Sequence, residues 1–72
     1  MRKKHYRKLR ALQTENGHNQ SKLAVITGRS QSYCDDRMSG LRDWSMGDSY
    51  AILDYYDIPY DQLHEYFPKG GI

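Results

Sequence analysis

The side chains able to do covalent or acid–base chemistry are few and scattered. The three histidines, His5, His18 and His64, stand far apart in the chain. None has the HxxxH or CxxC companions by which a helix or loop holds two metal ligands at a fixed separation. Cys34, the single cysteine, lacks a nearby base that would make it a thiolate, so it reads as a small apolar residue of a helix interior. No glycine-rich loop is placed to cradle a phosphate. An enzyme is the least favoured class, and neither cofactor nor metal is expected. One cysteine also cannot close an internal disulfide, which sets the chain apart from small secreted scaffolds and fits the reducing cytoplasm.

Charge is the next chemical resource. Net charge is only +2, yet Arg2, Lys3, Lys4, Arg7, Lys8 and Arg10 place six of the 11 basic residues in the first ten positions. From position 11 onward, five basic side chains face nine acidic ones. The arm can draw in phosphates by releasing their counterions, whereas the acidic remainder opposes them. A solvated, partly frayed N-terminus is the plainer reading of the same arm. No apolar h-region follows the arm and no run approaches the roughly 18 apolar residues of a membrane span, so neither a leader nor a membrane partner is expected.

The elements that must position these residues are helices. A chain of 72 residues supports one small core, and pairing with a second copy or a partner is a common source of added stability at this size. Glycines at 17, 28, 40 and 47 punctuate it into helix-sized pieces. The first piece, about 4–16, sets Tyr6, Leu9 and Leu12 on one face and stops at Asn16-Gly17. Asn19 caps a second over about 19–27, with Leu23, Ala24 and Ile26 apolar and Gly28 ending it. Ser30 caps a third over about 31–39, with Tyr33, Cys34 and Met38 on one side and Gly40 closing it. After a loop from Leu41 to Trp44, Ser45-Met46-Gly47-Asp48 forms a capping box for a fourth helix over about 46–56. Met46, Tyr50, Leu53 and Tyr56 give it an inward stripe, and Pro59 ends it. A fifth helix over about 60–66 turns Leu63 and either Tyr66 or Phe67 inward. The fold class is all-α, a four- to five-helix domain over 1–68, with 69–72 a flexible tail.

The order of these signals resembles the helix-turn-helix of the lambda-repressor-like family, which includes phage repressors and Cro proteins. Gln20 opening the first motif helix, Leu23-Ala24 inside it, Gly28 and Ser30 in the turn and Gly40 at the end of the second motif helix stand where that family has them. Arg37-Met38-Ser39-Gly40, then Trp44-Ser45, and the closing Leu63-His64-Glu65-Tyr66-Phe67 are similar to small Cro-like phage proteins. Arg29 departs from the pattern, because the family usually packs a Val or Ile there. The turn is then looser, or Arg29 projects outward.

The resemblance implies that the second motif helix enters the major groove of operator DNA while the first crosses the backbone. Gln31, Ser32, Asp35 and Asp36 become the candidate contacts to bases or to a partner: Gln31 suits adenine, Ser32 a base or phosphate, and an Asp the N4 amine of cytosine. Gln20, Lys22, Arg29, Arg37, Arg42, Arg2, Lys3 and Lys4 become candidate phosphate contacts. Two functions follow. One is a phage-type regulator that binds operator DNA, as a homodimer on paired half-sites. The other is an antirepressor: Asp35-Asp36 are two adjacent acids on a helix that should approach phosphates, and they suit the basic DNA-reading surface of a repressor protein instead. On the plainer reading, Asp36 faces solvent or pairs with Arg29 or Arg37. Tyr55, Tyr60 and Phe67 are the candidates for a protein interface, since the aromatics of the C-terminal half exceed what one helix face can bury.

Overall fold

Three of the helices begin where a short polar side chain takes up an orphan backbone N–H. The Asn19 side chain accepts from Ser21 N at 3.0 Å, Ser30 Oγ from Tyr33 N at 3.1 Å and Ser45 Oγ from Asp48 N at 3.2 Å. Each such cap is worth about 1 kcal/mol over alanine. In the computed structural model, which describes residues 5–72, the elements are α1 (Arg7–Glu15), α2 (Gln20–Thr27), α3 (Gln31–Met38), α4 (Met46–Tyr55) and α5 (Leu63–Tyr66), with a 3-10 turn at Tyr60–Gln62 leading into α5. There is no strand among the described residues, so the domain is all-α. None of these helices is long and apolar enough to cross a membrane.

The helices close on a core of Tyr6, Leu9, Leu23, Cys34, Met38, Trp44 and Ile52. From α2 and α3, Leu23, Cys34 and Met38 point into it, while α1 supplies Leu9 and α4 supplies Ile52. The short connection Gly28–Ser30 lets α2 and α3 pack on one another, and α2 also packs on α4.

Four expectations from sequence are corrected by these packing relations. The first helix starts at Arg7 rather than near 4, because Tyr6 adopts the left-handed conformation (φ 55°, ψ 48°) and turns the chain at His5 and Tyr6. That turn is held by the second correction: 69–72 is not a loose tail. Lys69–Gly71 makes a tight turn, Tyr6 N donates to Gly71 O at 2.8 Å, and Gly71 is buried. A Cβ there would lie 2.8 Å from the Tyr6 ring, so only glycine lets the two chain segments meet. Third, the inward face of α4 is Ser49, Ile52 and Leu53, and Met46 lies exposed. Asp48 rotates the helix this way by burying its carboxylate against the α2–α3 turn. Fourth, the interface candidate Phe67 is half-buried, one side of it packed on the core with its ring centroid 6.2 Å from Tyr6 and 6.1 Å from Trp44.

The C-terminus of α4 carries a local strain that can be relieved. Ile58 N donates to Leu53 O at 2.9 Å and Asp57 N to Asp54 O at 3.2 Å, the Schellman pattern, which puts Asp57 at φ 60°. A side chain is disfavoured in that region and glycine is not. Asp57→Gly is expected to raise the unfolding free energy by about 0.5 kcal/mol in urea denaturation, and a loss of stability would contradict the assignment.

Candidate interaction surface

The surface builds outward from the two faces of α3. Cys34 and Met38 fill its inner side, so by helical spacing Ser32, Asp35 and Ser39 emerge away from it; Gln31 shares the face of Cys34 and Met38 but, as the first residue of the helix, lies beyond the core, and all four are exposed. Asp36 is half-buried on the same helix. The side chains of Asp35 and Asp36 form no ion pair among the described residues. Both lie in the last turn of α3, the negative end of the helix dipole, where a carboxylate is disfavoured by a few tenths of a kcal/mol.

Two of the expected contact residues are pre-set by neighbours. Ser21 Oγ donates to Gln31 Oε1 at 2.9 Å, joining the start of α2 to the start of α3. Gln13 Nε2, from buried Gln13 on α1, donates to Gln20 Oε1 at 3.2 Å. In both carboxamides the oxygen is held and the NH2 group is left to reach outward.

The basic residues are differently disposed. Arg10 Nη2 donates to Met38 O and its Nε to His5 O, both at 2.7 Å, which fastens α1 to the end of α3. Lys8 pairs with Glu65 at 2.6 Å. Lys22 sits over the Tyr55 ring, 5.0 Å from its centroid, and so belongs to the α2–α4 side with His18 and Tyr56. Arg29, the departure from the family pattern, projects out of the turn and back onto α4: its Nε donates to Asp48 Oδ1 at 3.3 Å. Tyr33 donates its hydroxyl to the other oxygen, Oδ2, at 2.7 Å. Arg29 and Arg37 both lie against the Tyr33 ring, with Cζ 4.9 and 3.6 Å from the centroid. Neither forms an ion pair with Asp36. Arg42 is exposed just beyond α3, while Arg2, Lys3 and Lys4 lie outside the described residues.

Asp48 therefore has three tasks: N-terminal charge on α4, acceptor for Tyr33 and counter-charge for Arg29. Burial pushes its carboxyl up, but hydrogen bonds with Tyr33, Ser45 and Arg29 outweigh burial and hold it below the ordinary aspartate value. A carboxyl depressed in the folded state contributes stability above its unfolded pKa, about 3.9, and loses that contribution as pH falls through the lower folded value. The stability gap between wild type and Asp48→Asn is thus expected to be full at neutral pH and to shrink below about pH 4, measured by thermal unfolding across pH. A gap independent of pH would remove the ion pair from the account.

Sequence reasoning missed two apolar residues on this side. Val25 is 74% exposed and Leu41 72% exposed. Val25 lies one turn along α2 from Ser21, whose hydroxyl reaches Gln31, and Leu41 directly follows α3. The signal was present for Val25: with Leu23 and Ile26 facing inward, the residue between them at helical spacing must face out. Of the interface candidates, Tyr55 and Tyr60 are half-exposed at 50% and 52%. Tyr60 donates to Asp54 at 2.6 Å and its ring packs on Tyr50 at 4.6 Å. Cys34 is buried, and burial pushes its thiol pKa up, which keeps it protonated.

The outer side of α3 is thus a ridge of hydroxyls, a carboxamide and two carboxylates, bordered by Val25 and Leu41. Compared with protein-family models, curated proteins and solved structures, the chain matches none.

Proposed function

We propose that this chain is a regulatory protein of the phage-switch kind, with a lambda-repressor-like helix-turn-helix made by α2 and α3, and that it acts as an antirepressor. The observation that carries the reading is the division of charge around α3. Among the described residues Asp35 and Asp36 form no ion pair, while Arg10, Arg29, Lys8 and Lys22 are turned to partners within the domain. An acidic ridge flanked by exposed Val25 and Leu41 complements a basic protein surface with apolar anchors, such as the DNA-reading helix of a repressor. Two carboxylates in the last turn of α3 do nothing for the helix itself, and binding gives them a reason.

A second reading, direct operator binding, is favoured by the oriented carboxamides of Gln20 and Gln31 and by exposed Arg42. Those are the groups that would address a phosphate, an adenine and the backbone.

A gel shift with operator DNA and its repressor, run with and without this chain, separates the two. The antirepressor is expected to release the DNA without a shifted band of its own, and Asp35→Ala or Asp36→Ala should weaken the release by about tenfold. A band formed by the chain alone, with log K falling steeply against log salt, would sink the antirepressor and establish operator binding.

A further inference from the structure

Beside the acidic ridge lies a cation whose charge nothing within the described residues matches. Arg37 stacks on Tyr33 with Cζ 3.6 Å from the ring centroid. Its Nε is buried, and among the described residues it has no hydrogen-bond partner and no carboxylate oxygen pairs with the guanidinium. Asp48, the carboxylate bonded to Tyr33, is already taken: one oxygen accepts from Arg29 and the other from Tyr33. Arg29 lies against the same ring and adds to the positive field there. A guanidinium held 3.6 Å from an aromatic ring centroid is restrained by that contact and shielded from water on the ring side. It loses little freedom on taking an acceptor and gains more from it than a mobile surface arginine does.

We propose that Arg37, backed by Tyr33 and Arg29, is an oxyanion notch that takes a carboxylate side chain of the protein docked on α3. This rests on the antirepressor reading and deepens it: the partner surface must be basic opposite Asp35 and Asp36 and carry one Asp or Glu at its edge, opposite Arg37. A carboxylate is favoured over a nucleic-acid phosphate because a phosphate arrives in a row of phosphates, which Asp35, Asp36 and Asp48 repel, whereas a single acid on a basic surface does not. The pairing also sets register, since a partner shifted by one helical turn would bring its basic residues against Arg37.

The test uses the full chain, isotope-labelled so that the arginine Nε–Hε resonances are observed. The probes are a helical lysine-rich peptide carrying one glutamate, the same peptide with glutamine in its place, and a random-sequence DNA duplex. The glutamate peptide is expected to shift the Arg37 resonance saturably and to bind about fivefold tighter than the glutamine peptide. That ratio should fall to about one in Arg37→Lys, which keeps the charge but not the planar fork. Equal binding of the two peptides would overturn the notch. A larger Arg37 response to the duplex than to the glutamate peptide would overturn the carboxylate in favour of phosphate. Glutamate-dependent binding without repressor release leaves the notch standing and removes the antirepressor, while release without glutamate dependence does the reverse.

Discussion

Trp44→Ala is expected to destabilise the domain by about 3–5 kcal/mol, the range for truncating a large buried aromatic. Trp44 is only 8% exposed and sits in the loop between α3 and α4. Its ring meets Tyr33 edge-on at 6.5 Å and Phe67 edge-on at 6.1 Å, which ties α3 to the segment after α5. Each such aromatic pair adds about 0.5–1.5 kcal/mol to simple burial. A domain of this length has a total stability on the order of 4–10 kcal/mol, so a third or more of it rests on this side chain. The midpoint of thermal unfolding should fall by about 12 °C or more. Trp44→Phe should be much milder, because the indole Nε1 is buried without a partner among the described residues and the substitution removes an unmet donor along with some volume. Calorimetry of the two variants checks the contrast, and an alanine variant within about 1 kcal/mol of wild type would mean that the loop is not part of the core.

What could be read from the chain beforehand was whatever local chemistry decides. Asn19, Ser30 and Ser45 are capping residues by type, and each binds the backbone N–H that its position predicts. Cys34 and Met38 share a face because they are four residues apart, and both are buried. What could not be read depends on partners distant in sequence. The left-handed Tyr6 makes sense only with Gly71, 65 residues away, accepting its N–H. The stripe from Met46 to Tyr56 fits α4 as a helix in isolation. The helix is turned instead by Asp48, whose carboxylate meets Arg29 and Tyr33 as well as Ser45 at its own N-terminus. Capping-box logic found the pair Ser45 and Asp48 and missed the distant guanidinium and phenol that share the ionised carboxylate.

The same limit governs the surface. The outward placement of Ser32 and Asp35 followed from helical spacing once Cys34 and Met38 were set inward, whereas Gln31 is exposed because it opens the helix at the edge of the core. The fate of the arginines did not follow, because a long side chain can fold back along apolar surface and satisfy itself far from its own backbone. Arg10 reaches the Met38 carbonyl and Arg29 reaches Asp48 in this way. Composition counts both as available for phosphate, and geometry removes them.

The charge-reversed variant carrying Asp35→Lys and Asp36→Lys is therefore expected to separate fold from function. Neither carboxylate has a partner among the described residues, and lysine in the last turn of a helix complements its dipole. Stability should be unchanged or higher by about 0.5 kcal/mol. Binding to a basic repressor surface should weaken by more than about 100-fold, since each reversal replaces an attraction by a repulsion worth about 1.5 kcal/mol or more at close range. Affinity for duplex DNA should rise, with the slope of log K against log salt steeper by about two, one for each added phosphate contact. Unfolding curves, repressor binding and the salt titration together make the comparison. If the reversed variant folds normally and still binds the repressor at full strength, the acids of α3 are ordinary solvated side chains, and the partner contacts this domain through another face.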